Sequence, residues 1–380
     1  MKVMHRLSKP KIGIVRGLMP RFTQAEFACS FKRFEPTFIT GEARGEIKDF
    51  CNKEKLNTRD LRLKKILKID PVEILLGNRT HQSFVGLEGL RDAVRGLDVL
   101  ETYELYHFFS GQAAEAAKDL KIPLVCEVWT SILHPAYFIP PYSFTVRKVI
   151  KNTRLFITRS YKAKRALLKL GIPKEKIRVV YHGVNLRRFR GSRRNRGHRE
   201  IVILYVGEME EYKGVGDLLK IWPEIYKKHP HANLWLVGKG SLLEEAKGMT
   251  GVKVHGYVFY RNLPKIYSQA DIFISPSKNR YLGPFLWWEE FFSYTLMEAQ
   301  ASGLPIVATR CGGIPEEIGD KNLLIKLGDT HGLKMALIKL IEDESLRRSL
   351  GLGNRERAEK LFDLYKQTEV LEDKIQEVIK

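Results

Sequence analysis

Apolar runs of strand length recur along this chain, each released by a glycine or polar turn into a segment of helical pattern, and that alternation leaves few folds open. Lys11-Ile-Gly-Ile-Val15 reads as a first strand that ends by Gly17 and Pro20, before a short helix over residues 24–31. Asp98-Val-Leu-Glu-Thr-Tyr103, an Ala-rich helix over residues 111–118 and Pro123-Leu-Val-Cys-Glu-Val-Trp129 continue the pattern. So do Ile201-Val-Ile-Leu-Tyr-Val-Gly207, Leu234-Trp-Leu-Val-Gly-Lys-Gly240 and Ala270-Asp-Ile-Phe-Ile-Ser-Pro-Ser277. Repeated β-α units of this kind imply an α/β chain whose parallel sheets are covered by helices, with ligands at the carboxyl ends of the strands. His107 and Glu127-Val-Trp129 stand at such ends. At 380 residues the chain exceeds the size at which one core usually stops growing, so two domains are expected.

Charge is unevenly placed. Residues 1–200 hold 41 Lys and Arg against 19 Asp and Glu, a balance of +22, whereas the remainder holds 24 against 25. Such asymmetry suits an anionic substrate, an anionic membrane surface or nucleic acid, and by itself it also serves solubility. Cys29, Cys51, Cys126 and Cys311 are scattered without metal-binding spacing, so buried free thiols are expected. No His-Glu-x-x-His arrangement or Asp cluster occurs, and no bound metal is expected. No run reaches the ~18 apolar residues of a spanning helix and none reads as a secretory signal, which predicts a cytoplasmic protein.

The segment from Glu290 to Gly313 sets two carboxylates, Glu290 and Glu298, on either side of a helix start near Tyr294, then leaves the helix through Gly303 into a strand. Free N–H groups and the positive end of the helix dipole favour an anion between the two acids. A ligand with hydroxyls at both ends of a diphosphate, a nucleotide sugar, answers that layout. On spacing alone, two solvated acids near a helix start are the simpler account.

The wider pattern, Glu290-x₇-Glu298 with Ala299, Gly303-Leu-Pro305, Val307-Ala-Thr309 and Gly312-Gly313, resembles the signature of retaining family-4 glycosyltransferases. The resemblance implies a GT-B fold of two doubly wound, Rossmann-like domains. It also implies a UDP- or GDP-sugar as substrate, transfer with retention, and neither cofactor nor metal. Glu290 would contact the donor sugar and Glu298 the ribose, and the backbone N–H groups of Tyr294 and Thr295 would meet the diphosphate. Lys213, in Tyr-Lys-Gly214, matches the family lysine on the diphosphate, whereas Glu208 replaces the family arginine. Gly207 ends the strand before that loop, and Tyr257-Val258 follows a segment similar to the family's strand before the nucleobase pocket. Trp129 stands near the position where relatives carry histidine, which leaves His107 and His134 as substitutes and makes His107 the third catalytic candidate beside Glu290 and Lys213. Near Gly17, relatives often have two glycines where this chain has one.

The expected domains are residues 1–189 and 200–363, joined by an Arg-rich linker over 190–199, with a last helix over about 364–380 returning to the first domain, as in relatives. Residues 48–68, with eight Lys or Arg, read as a basic amphipathic helix or a solvated surface helix. The aromatic, Pro-rich run from Pro135 to Tyr142, followed by Phe144 and Arg147-Lys148, reads as an interfacial patch or an acceptor-site loop. Residues 278–288, before Glu290, read as an insertion whose Tyr281, Phe285, Trp287 and Trp288 form a sugar-facing wall or a packed loop. An anionic or lipid-linked acceptor and peripheral contact with the cytoplasmic membrane face suit the basic first domain. Two rivals stay open: a synthase of the same fold with a small phosphorylated acceptor, and a nucleic-acid-binding protein that has lost catalysis, although no nucleic-acid module accompanies the charge.

Overall fold

The computed structural model describes residues 8–17, 20–41, 43–66, 85–191 and 200–379. The chain divides into two compact units, Met1–Val180 with Tyr365–Lys380, and Tyr181–Leu364.

The first unit holds β1 (Lys11–Arg16), β2 (Glu35–Gly41), β3 (Asn57–Leu61), β4 (Leu63–Lys65), β5 (Val85–Leu87), β6 (Val99–Tyr103), β7 (Leu124–Val128), β8 (Thr153–Thr158) and β9 (Ile177–Val179). Seven of these form a parallel sheet in the order β3-β2-β1-β6-β7-β8-β9, and β4 pairs antiparallel with β5. Ile12, Ile14 and Val15 of the central β1 are fully buried, as expected of a parallel strand covered on both faces. The helix Leu364–Ile379 belongs to this unit from Tyr365 onward. There Thr368 Oγ1 lies 2.6 Å from Ser30 Oγ, and the buried Glu372 accepts from the amides of Lys32 and Arg33 at 2.8 and 2.6 Å.

The basic stretch 48–68 is not one helix. The helix Glu46–Lys53 ends near Lys55, which takes φ +54, and the chain then pairs with β2 from Asn57 opposite Thr37 to Leu61 opposite Gly41. Leu61 and Leu63 already alternate with the period of a strand, and backbone pairing at the sheet edge outweighs the helical spacing of the neighbouring leucines. Leu67 and Lys68 lie outside the described residues, as do residues 192–199 of the expected linker.

The second unit holds β10 (Ile201–Val206), β11 (Ala232–Val237), β12 (Val252–Gly256), β13 (Ile272–Ser275), β14 (Arg280–Leu282), β15 (Phe285–Trp288), β16 (Ile306–Thr309) and β17 (Leu323–Ile325). Its parallel sheet runs β12-β11-β10-β13-β16-β17, with β14 and β15 a separate antiparallel hairpin. Ile203, Leu234, Ile272 and Ile274 of the sheet share a core with Leu218, Trp222 and Ile225 of the helix Val215–Lys228 and with Leu337 and Leu340 of the helix Thr330–Glu342. Residues 181–189, expected with the first domain, group with this unit. Val184 donates to the Phe362 carbonyl at 2.9 Å and accepts from the Leu364 amide at 3.2 Å, so the returning chain holds them here. Among the described residues no helix is long and apolar enough to cross a membrane.

Candidate functional site

β10 and β13 flank the point where the strand order of the second sheet reverses, the place where open α/β sheets leave a crevice for ligands. The chain leaving each strand carries one of the charged groups singled out above. From β10 it passes Gly207, whose amide donates to the Val237 carbonyl at 2.9 Å, and enters a 3-10 turn over Glu211–Lys213. Gly214 follows at φ +74. A Cβ there would stand 1.9 Å from the Pro276 carbonyl oxygen, so only glycine lets this turn approach the segment leaving β13. The result is a close pair: Lys213 Nζ lies 2.9 Å from Glu290 Oε2, with the two side chains 19% and 13% exposed.

Glu290 is held on several sides. Ser277 Oγ donates to the same Oε2 at 3.0 Å, and the Glu290 carbonyl accepts from the Gly313 amide at 2.7 Å. A Cβ on Gly312 would stand 2.0 Å from the Glu290 carbonyl oxygen, and one on Gly313 would stand 2.1 Å from that of Phe291. The paired glycines therefore permit the contact between the turn after β16 and the loop that presents Glu290. Cys311 Sγ lies 3.4 Å from the Glu290 amide, and burial pushes its thiol up to about 12.

The residues expected to be an insertion before Glu290 form the β14–β15 hairpin. Trp287 is buried, whereas Tyr281 and Phe285 are exposed. The Trp288 ring centroid lies 4.2 Å from Lys213 Nζ, and the Tyr212 ring meets Trp288 edge to face at 4.8 Å. Glu208 accepts a hydrogen bond from the Tyr212 hydroxyl. Burial and then Glu208 raise the Tyr212 phenol, which keeps it a donor.

The helix Tyr294–Ala301 starts after Ser293, whose side chain makes no cap bond and instead lies 2.9 Å from Thr295 Oγ1. The first-turn amides of Tyr294 and Thr295 thus receive no cap from Ser293. Tyr294 directs its hydroxyl to His182 Nε2. Glu298 is buried to 1% exposure and accepts from the buried Tyr267 hydroxyl at 2.8 Å, which distinguishes it from a solvated acid. Beyond β12, Val258 sits half-buried between the exposed Tyr257 and Phe259, whose rings meet edge to face at 5.6 Å. Lys239 stands 5.1 Å from the Tyr257 ring centroid.

His107 belongs to the first unit. It precedes the helix Phe108–Leu120 and stacks on Phe109 at 5.1 Å, beside Tyr103 and Tyr106. His134 stacks on Tyr106 at 5.2 Å, and its Nδ1 accepts from the Ala136 amide at 3.2 Å. Sequence reasoning missed the ionic cluster in this unit's sheet. Arg16 bridges Glu101 at 2.6 Å and Glu127 at 3.3 Å, and Arg159 meets Glu127 at 2.7 Å, with all four side chains at most 3% exposed. Burial pushes the Glu101 carboxyl up to about 8 against the pull of Arg16. Glu104, beyond β6, accepts from the Trp129 and Thr130 amides at 2.8 and 3.0 Å and from Thr130 Oγ1 at 2.9 Å. The signal was present, because Glu101 and Glu127 interrupt apolar strands and acids are rarely buried unpaired. Among the described residues no group of three or more His, Cys, Asp or Glu is placed to hold a metal ion.

Comparison with known proteins gives this geometry a family. Residues 32–188 match Glycosyltransferase Family 4, and residues 200–343 match Glycosyl transferases group 1. The sulfoquinovosyl transferase of Arabidopsis thaliana is 26% identical over 65% of this chain and 51% of its own length. The amylovoran biosynthesis glycosyltransferase of Erwinia amylovora is 26% identical over 68% of this chain and 66% of its own length. The chain thus spans about half to two thirds of these relatives. Among solved structures, that of Anabaena HepE in complex with UDP-glucose aligns with a TM-score of 0.74 at 17% identity, covering 97% of this chain and 100% of the other. Two Rossmann-like parallel-sheet units with this sheet order are the fold of GT-B enzymes, and the chain belongs to the family-4, group 1 glycosyltransferases.

Proposed function

We propose that this protein transfers a sugar from a nucleoside-diphosphate sugar, UDP- or GDP-linked, to an acceptor with retention of anomeric configuration. The observation that carries the reading is the Lys213–Glu290 pair, at 2.9 Å, beyond the two strands that flank the sheet's reversal. Lys213 and the first-turn amides of Tyr294 and Thr295 take the diphosphate and offset charge as it leaves, in place of a metal ion. Glu290 accepts bonds from sugar hydroxyls and orients the donor, acting as neither nucleophile nor general base. Glu298 holds the ribose, Gly207 keeps the β10 turn open to the donor, and Val258 with its aromatic neighbours bounds the base. His107 is assigned to the acceptor.

The acceptor in this reading is anionic or lipid-linked, and the first unit meets the cytoplasmic membrane face. Supporting it, residues 128–174 contain ten Lys or Arg and no Asp or Glu. Phe138 and Ile139 are 61% and 44% exposed ahead of the helix Tyr142–Asn152, which turns out Phe144, Arg147 and Lys151. Exposed rings beside basic residues suit an anionic headgroup layer.

A thermal-shift panel of nucleosides, nucleoside diphosphates and nucleotide sugars tests the donor. A ligand at 100 times its Kd should stabilise the fold by about 2.7 kcal/mol. Stabilisation by one base series, diphosphate above nucleoside, is the expected result; no shift with any UDP or GDP compound would overturn the reading.

A further inference from the structure

Resting on the donor reading above, we infer that Arg280, carried by the β14–β15 hairpin, is a second cation for the donor diphosphate and forms a two-cation grip with Lys213. The Tyr212 ring organises that grip. Arg280 Cζ lies 5.5 Å from its centroid and Lys213 Nζ lies 5.7 Å from the same centroid. Arg280 also stands opposite Trp288 in the hairpin register, and Trp288 is the residue that covers Lys213.

Charge explains why a second cation is needed. A nucleoside diphosphate brings at least two negative charges, yet Lys213 is already paired with Glu290, and Glu208 adds a carboxylate on the loop before it. Tyr212 separates these charges: its hydroxyl donates to Glu208, while its ring faces the cations. Lys278, two residues before Arg280, is committed to Asp217 at 2.7 Å. Arg280 has no carboxylate partner among the described residues and is half-buried. A guanidinium held by a ring face keeps its N–H donors for an oxyanion, and its fork matches two phosphate oxygens better than an ammonium does. The inserted hairpin therefore has a chemical task.

Calorimetric binding of UDP, GDP, uridine and guanosine to the full chain and to Arg280→Gln, Arg280→Lys and Arg280→Glu tests this. For the base series that the unaltered protein binds, Arg280→Gln should weaken the diphosphate about tenfold or more and leave the nucleoside unchanged. Arg280→Lys should recover part of the loss and Arg280→Glu should deepen it. Nucleoside affinity serves as the control for folding. If the unaltered protein binds a diphosphate and all three variants bind it equally well, Arg280 is only a ring-stacked surface group and the inference falls while the donor reading stands. If the unaltered protein binds neither diphosphate, the donor reading fails and takes this inference with it.

Discussion

Replacing Glu290 with Gln is expected to separate two roles of one residue, tightening nucleoside diphosphate while disabling sugar transfer. Lys213 Nζ lies 2.9 Å from Glu290 Oε2, so a phosphate on Lys213 competes with that carboxylate. At an effective dielectric of about 20 that separation corresponds to a gross attraction of about 6 kcal/mol. Desolvation of a largely buried pair and side-chain ordering oppose it and take back most of that attraction, leaving a net coupling of about 1 kcal/mol. Glutamine keeps the shape and the Ser277 bond but removes the competing charge. The favoured diphosphate should then bind about fivefold more tightly, the nucleoside should bind as before, and turnover should drop about 100-fold or more. Calorimetry with UDP, GDP and their nucleosides, beside donor kinetics, reads all three. If Glu290→Gln loses diphosphate affinity in step with Lys213→Ala, Glu290 supports the lysine and does not compete with phosphate, and the argument is wrong.

Glu298→Ala should weaken nucleoside and diphosphate alike, because its carboxylate is assigned to the ribose; calorimetry that finds nucleoside affinity unchanged removes it from the site. Glu104 gives a pH dependence. Burial raises its carboxyl to about 7, so between its ordinary value and that point the folded protein holds a proton that the unfolded chain releases, and stability falls as pH rises through the window. Melting temperatures of the unaltered protein should show that slope between about pH 5 and 7, and Glu104→Gln should make it shallower, with the raised Glu101 carboxyl keeping the remainder; equal slopes would contradict the assignment. Phe138→Ser with Phe144→Ser should reduce sedimentation with anionic vesicles at low salt, and binding no greater than to neutral vesicles would end the membrane proposal.

Both parallel sheets were legible because buried strands write themselves as short apolar runs, as Ile201–Val206 does, and because glycines such as Gly214 and Gly312 stand where backbone approaches backbone. The meeting of Lys213 with Glu290 was legible only as two separate motif positions. The strand order that joins them, with β10 beside β13, is a long-range pairing that local pattern does not encode. The same limit explains residues 48–68, where a basic stretch with leucines at mixed spacing fits a helix until β2 offers its edge. It also explains Arg16, whose burial between Glu101 and Glu127 depends on strands far along the chain. The grouping of residues 181–189 with the second unit depends on the returning Phe362 and Leu364, far along the chain.

The central claim is that Lys213 and Glu290 form the working centre of a nucleotide-sugar-dependent transferase. It is tested most directly by measuring UDP and GDP release from a panel of UDP- and GDP-sugars by the purified full chain, beside Lys213→Ala and Glu290→Gln. The account predicts release from at least one donor by the unaltered protein and its near loss in both variants. Release that persists undiminished in both variants would contradict it.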